Sequence, residues 1–276
     1  MNPIGINLWN WTGDFNQSKI EYINKAAKLG YTAIEIGVEN AAIDPIPIKE
    51  AIENNNLQVT LCAAMTKGKD ISNFDEQIRE NTKEYMRKCF LLGKEIGSKL
   101  FVGPVYAGGA KAHLLSRGDK RKEWELAVTG LREMAEAAAE WGISIAIEPL
   151  NRYRTSVVNT LEQALQMVYD INKDNVGILY DTYQANIEEE DIYEPLKTIC
   201  KAGKLLHVQL SDSNRGAPGM GHIDFKPVFE ILKAYDYKGH ITVETFTEGV
   251  FDSGWIVLDT PDNVAKIGME TIKQYI

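Results

Sequence analysis

The chain has 276 residues, 44 % of them hydrophobic and 25 % charged, with 30 Lys+Arg against 39 Asp+Glu for a net charge of −9. That composition excludes a disordered chain and suffices for a single large core. The acidic balance excludes a protein that grips nucleic acid by neutralising phosphates.

A strand is expected at residues 4–8, then a helix over 17–29 that stops at Gly30. A strand at 33–37, a weaker helix at 47–55 and a strand at 58–62 follow. The next helix, 75–96, ends at Gly97 and leads to a strand at 99–103; a helix over 122–141 ends at Gly142. Glycine at these ends suits the left-handed residue that closes a helix. The remaining strands are expected at 143–148, 176–181, 205–210 and 240–245, with helices at 160–172, 188–202, 226–235 and 262–274. Strand and helix alternating to the end of the chain predict an α/β protein, a single (β/α)8 TIM barrel forming one domain over residues 1–276. A doubly wound open sheet would carry a Gly-rich phosphate turn after its first strand, but the sequence there is Trp9-Asn10-Trp11-Thr12-Gly13.

Cys62, Cys89 and Cys200 are odd in number and far apart, so no disulfide framework is expected and a reducing, cytoplasmic setting follows. No apolar run approaches the roughly 18 residues of a membrane span, and the first residues lack a secretory pattern, so neither anchor nor leader is expected.

Alternation within the late strands separates two faces. Ile143, Ile145 and Ile147 oppose Ser144, Ala146 and Glu148; Val176, Ile178 and Tyr180 oppose Gly177, Leu179 and Asp181. Leu206, Val208 and Leu210 oppose Leu205, His207 and Gln209, while Ile241 and Val243 oppose Thr242 and Glu244. The bulky faces pack on the outer helices, which turns Glu148, Asp181, His207 and Glu244 inward, where barrel enzymes build their sites. Buried carboxylates need compensation, and no Lys or Arg shares their parity, so a divalent cation is expected on these four residues. The oxygen-rich set suits Mn2+ or Mg2+, with Co2+ an alternative.

Three stretches resemble the ketose 3-epimerases, which include D-tagatose and D-allulose 3-epimerases and belong to the xylose-isomerase-like barrels. They are Glu148-Pro149-Leu150-Asn151-Arg152-Tyr153, Asp181-Thr182-Tyr183, and Asp212-Ser213-Asn214-Arg215 with the following Ala217-Pro218-Gly219. The resemblance spans essentially the whole chain. It implies a Mn2+ site on Glu148, Asp181, His207 and Glu244, with Glu148 and Glu244 as the catalytic acid/base pair. It also implies Arg215 as a substrate-binding residue, and a dimer or tetramer as the assembly. The expected reaction is epimerisation at C3 of a 2-ketose or keto-sugar acid: the metal polarises the C2 carbonyl, a proton leaves one face, and another returns to the opposite face of the enediolate. An aldose–ketose isomerase and a keto-sugar lyase or dehydratase are the alternatives.

Two positions depart from the family pattern. Arg154 stands where an acidic residue is usual, and Gln184 where His is usual; both family positions contact substrate. Arg154 predicts an anionic keto-sugar, because guanidinium matches carboxylate and phosphate. Cys62 and Tyr106 are further candidate pocket residues, and Glu35 is a candidate to orient a metal ligand. The expected partner is a small-molecule keto-sugar, with no nucleic acid and no membrane.

Overall fold

The computed structural model describes residues 2–66, 68–250 and 254–276. The strands are β1 (Ile4–Asn7), β2 (Ala33–Val38), β3 (Gln58–Ala63), β4 (Leu100–Gly103), β5 (Ser144–Ile147), β6 (Val176–Asp181), β7 (Leu205–Leu210) and β8 (His240–Val243). Each pairs in parallel with the next, and β8 returns to β1 through Ile4 opposite Ile241, which closes the barrel. Around it lie α1 (Glu21–Lys28), α2 (Pro45–Asn54), α3 (Glu76–Ile96), α4 (Arg117–Ala139), α5 (Leu161–Ile171), α6 (Thr182–Glu188), α7 (Tyr193–Lys201), α8 (Lys226–Ala234) and α9 (Pro261–Ile272). Among the described residues, no helix is long and apolar enough to cross a membrane.

The apolar residues divide as the alternation requires. Ile145, Ile147, Ile178, Val208 and Val243 join the large cluster under the helices, whereas Cys62, Val102, Ala146 and Leu179 fill the barrel with Trp9. Space for that filling comes partly from glycine. A Cβ on Gly37 would overlap the Trp9 indole, so the ring enters the barrel only because β2 has no side chain there.

Three local features differ from the sequence expectation. α4 begins at Arg117 instead of 122, because Ser116 accepts from the Asp119 N–H and its hydroxyl donates to that carboxylate. The helix expected over 188–202 is the shorter α7, and an additional helix, α6, precedes it; Asp181 ends β6 and at once caps α6, its Oδ1 accepting from the Tyr183 N–H at 2.9 Å. In β7, the register slips by one residue: Ile178 pairs with Leu205, but Leu179 pairs with His207. The slip reverses the expected faces of the first two residues. Leu205 packs against the outer cluster and Leu206 against the inner one, where a Cβ on Gly177 would come within 2.6 Å of Leu206 Cγ. Beyond the slip, His207 and Gln209 keep their inward orientation.

Candidate active site

At the C-terminal end of the barrel, Glu148 follows β5, Asp181 ends β6 and Glu244 follows β8. All three are at least 96 % buried, and their ligand-capable oxygens lie within 4.8 Å of one another. Such a group repels itself, and part of the compensation arrives from a place that strand parity does not report. Arg215, in the loop after β7, sends Nη1 to Asp181 Oδ2 (2.7 Å) and Nη2 to Glu244 Oε2 (2.6 Å). Nη1 also donates to Ser211 Oγ at 3.2 Å, and that hydroxyl in turn donates to the Glu244 carbonyl. The guanidinium lies between the Tyr183 and Phe246 rings, 4.5 and 4.9 Å from their centroids.

The fourth expected member, His207, is not brought to this group. Its Nε2 lies 2.8 Å from Glu35 Oε2, and both side chains are fully buried. Gln209, two residues further along β7, holds the level of Asp181. A strand advances ~3.3 Å per residue, so His207 sits roughly 6.6 Å below Gln209, toward the barrel floor. Two inward residues of β7 share one parity, and the earlier of them, His207, lies against Glu35 instead of among the three carboxylates.

Glu35 organises that lower layer. Oε1 accepts from Asn7 Nδ2 (3.0 Å) and Gln209 Nε2 (2.6 Å), and Oε2 accepts from Thr60 Oγ1 (3.0 Å). Burial works to raise the Glu35 carboxyl, but His207 and these hydrogen bonds outweigh it and hold the group below its usual range.

His240 packs beside this layer, its ring 6.2 Å from that of His207. Burial above all, then the proximity of His207, lowers its pKa to about 4, with Glu35 opposing. The folded state therefore binds this proton less readily than the unfolded chain. The resulting stability is complete above the ordinary histidine pKa and is lost as pH falls toward the folded value. We expect His240 to contribute about 1–2 kcal/mol to the stability lost between about pH 7 and pH 5. Urea midpoints at the two pH values should differ less in His240→Asn, and an undiminished difference would reject this assignment.

A cavity of about 240 Å³ opens above the carboxylates. Glu148, Glu244, Arg215, Arg154, Gln184 and Cys62 all line it. Gln184 is anchored through Oε1, which accepts from the Asn151 backbone N–H (3.0 Å) and from Nδ2 (2.7 Å). Burial, with Glu35, Glu244 and Glu148 nearby, pushes the Cys62 thiol well above its usual pKa, so it is a neutral wall and not a nucleophile. Trp9 and Phe246 supply a stacked aromatic wall, with centroids 5.6 Å apart. Tyr106 is a correction: it is fully buried in the outer core, donates to the Val158 carbonyl at 2.9 Å, and does not line this cavity. Its position just after β4 suggested a pocket aromatic, but the loop turns the ring into the helix layer.

The donor chemistry fits a divalent ion. Three buried carboxylates converge there, and every donor in the cluster is a hard oxygen.

Residues 23–275 match the family described as the xylose isomerase-like TIM barrel. The chain is 29 % identical over 249 residues to a ketose 3-epimerase of Arthrobacter globiformis, covering 90 % of this chain and 84 % of that protein. It is 30 % identical over 245 residues to an L-ribulose 3-epimerase of Methylomonas sp., covering 88 % and 84 %. The crystal structure of a Methylomonas sp. D-allulose 3-epimerase in complex with D-allulose superposes with a TM-score of 0.92 at 28 % identity, over 100 % of this chain and 97 % of that one. With this barrel, this rim of carboxylates and these relatives, the chain belongs to the xylose isomerase-like TIM-barrel family and, within it, to the ketose 3-epimerase-like group.

Proposed function

We propose that the protein is a divalent-metal-dependent sugar epimerase that inverts C3 of a 2-ketose, with Mn2+ as its ion and Glu148 and Glu244 as its acid/base pair. The observation that carries this reading is the placement of two buried carboxylates, from β5 and β8, on one cavity beside a third carboxylate, Asp181. The relatives named for L-ribulose and D-allulose act on sugars of this kind. Glu148, Asp181 and Glu244 would hold the ion, whose role when bound is to withdraw electron density from the ketose carbonyl.

The protein residues perform the remaining work. Epimerisation removes the C3 proton from one face and returns a proton to the other, so it needs two groups facing the carbon from different sides. Glu148 and Glu244 approach the cavity from strands separated by β6 and β7. The carboxylate nearer the departing hydrogen takes it, leaving an enediolate; the other, protonated, delivers its hydrogen to the opposite face. In the reverse direction the two exchange roles. Arg215 reaches Glu244 Oε2 with Nη2 and orients its carboxyl group toward the cavity. Trp9 and Phe246 offer an apolar face to the sugar carbons, and Gln184 and Arg154 line the same cavity as hydrogen-bonding groups. Arg154 favours a substrate carrying a carboxylate or phosphate, which places acidic keto-sugars beside neutral ketoses as candidates.

The test is hydrogen exchange in D2O, read by NMR across a panel of neutral ketoses, keto-hexonates and ketose phosphates. Deuterium entering at C3 together with the C3 epimer supports the reading. Label confined to C1 and C2 would make the enzyme an aldose–ketose isomerase, and loss of a β-substituent a lyase. Substituting Arg154→Glu should shift preference from acidic toward neutral sugars, and an unchanged preference rejects the anionic-substrate assignment.

A further inference from the structure

Gln209 is fully buried, and its side chain is satisfied on one side only. Nε2 donates to Glu35 Oε1 at 2.6 Å and lies 4.0 Å from Cys62 Sγ. Oε1 has no hydrogen-bond partner among the described residues. The orientation of this amide follows from its neighbour: an ionised carboxylate only accepts, so the NH2 end must face Glu35 and the oxygen must face away. A buried amide oxygen left without a donor is destabilising, and no described residue supplies that donor.

The position of Gln209 suggests what satisfies it. It is inward on β7, in register with Asp181 on one side and with Thr242, two residues before Glu244, on the other. Its immediate surroundings, Glu35 and Cys62, have ligand atoms within 4.8 Å of one another and of Glu244. The head group therefore sits between the Glu35 layer and the carboxylate rim, at the angular gap that β7 occupies between Asp181 and Glu244. His207, the imidazole on the same face of the strand, has Nε2 2.8 Å from Glu35 Oε2 and an Nδ1 without a hydrogen-bond partner among the described residues; it is set apart from the rim by its depth, two residues earlier on β7 than Gln209.

We propose that the Gln209 amide oxygen, and not an imidazole, completes the protein ligands of the divalent cation held by Glu148, Asp181 and Glu244. Glu35 then acts as a positioning residue, gripping Nε2 so that Oε1 is presented to the ion. The inference rests on the metal-dependent reading above and adds to it the identity of the fourth donor. Its consequence is an all-oxygen site, which favours Mg2+ and Mn2+, whereas an imidazole in the same place would raise the standing of Co2+ and Zn2+.

The experiment uses Mn2+ itself on the full-length protein. The first readout is electron spin echo modulation of the Mn2+-loaded wild type, which should show no directly coordinated imidazole nitrogen. The second is Mn2+ affinity by calorimetry: Gln209→Leu should weaken it by about tenfold or more, while His207→Gln leaves it within about twofold of wild type. The third is selectivity, with Gln209→His moving the ratio of Co2+ to Mn2+ affinity upward. Coordinated imidazole nitrogen in the wild type, or unaltered Mn2+ affinity in Gln209→Leu, overturns the proposal while leaving a metal enzyme in place. Failure of the wild type to take up stoichiometric Mn2+ overturns the metal reading itself, and this proposal with it. The wild-type spectrum decides the question even if a buried substitution prevents folding.

Discussion

Glu148→Gln and Glu244→Gln are each expected to lower ketose turnover by about 10²–10⁴-fold, the range that a positioned acid/base group contributes. Glutamine keeps the side-chain length and a carbonyl oxygen, so ion binding is weakened less than proton transfer. The more telling readout is asymmetric exchange. With one glutamate gone, the survivor can still take a proton from the face it addresses and return one to that same face. Glu148→Gln should therefore wash deuterium into C3 of one epimer without converting it, and Glu244→Gln should do so for the other epimer. Metal content is measured alongside, because an empty site would abolish both exchanges. Equal loss of exchange from both epimers in a metal-loaded variant would mean that the two carboxylates do not act as separate bases.

The residues behind this prediction were readable from sequence because strand alternation has a period of two and the barrel buries both faces. Glu148, Asp181 and Glu244 fall out of that period directly. The depth of His207 did not, since parity alone does not separate it from Gln209 two residues later. Depth along the strand distinguishes them. The carboxylates all sit at or just beyond the last residue of their strands, whereas His207 lies in the first half of β7. The slip between Leu205 and Leu206 was invisible for another reason: it depends on the space at Gly177, a tertiary fact with no local pattern. Tyr106 was misplaced because nothing in the residues after β4 reports whether a loop aromatic turns toward the cavity or the helices.

Arg215 was legible as a residue but not as an ion-pair partner, and its removal carries the second large expected effect. Its backbone is left-handed, with φ of 64°, and the side chain runs back into the barrel mouth instead of out to solvent. There it neutralises Asp181 and Glu244 from a nearly fully buried position. Removing one partner of a buried pair leaves uncompensated charge, typically a loss of about 3–5 kcal/mol. Arg215→Met should therefore destabilise the chelator-treated protein by that order, while retaining much of the apolar contact with Tyr183 and Phe246. The freed carboxylates now present more negative charge to a cation, so Mn2+ should raise the melting temperature of the variant by more than it raises that of the wild type. Arg215→Lys separates charge from shape: it restores a cation without the forked donors that reach both carboxylates at once, and should fall between wild type and Arg215→Met. All three share the same left-handed backbone, and neither Met nor Lys relieves it more than Arg, so the comparison isolates the side chain. If Arg215→Met lost the same stability with chelator and with saturating Mn2+, the guanidinium would be a packing element, and the balance of charge proposed for this barrel mouth would have to be redrawn.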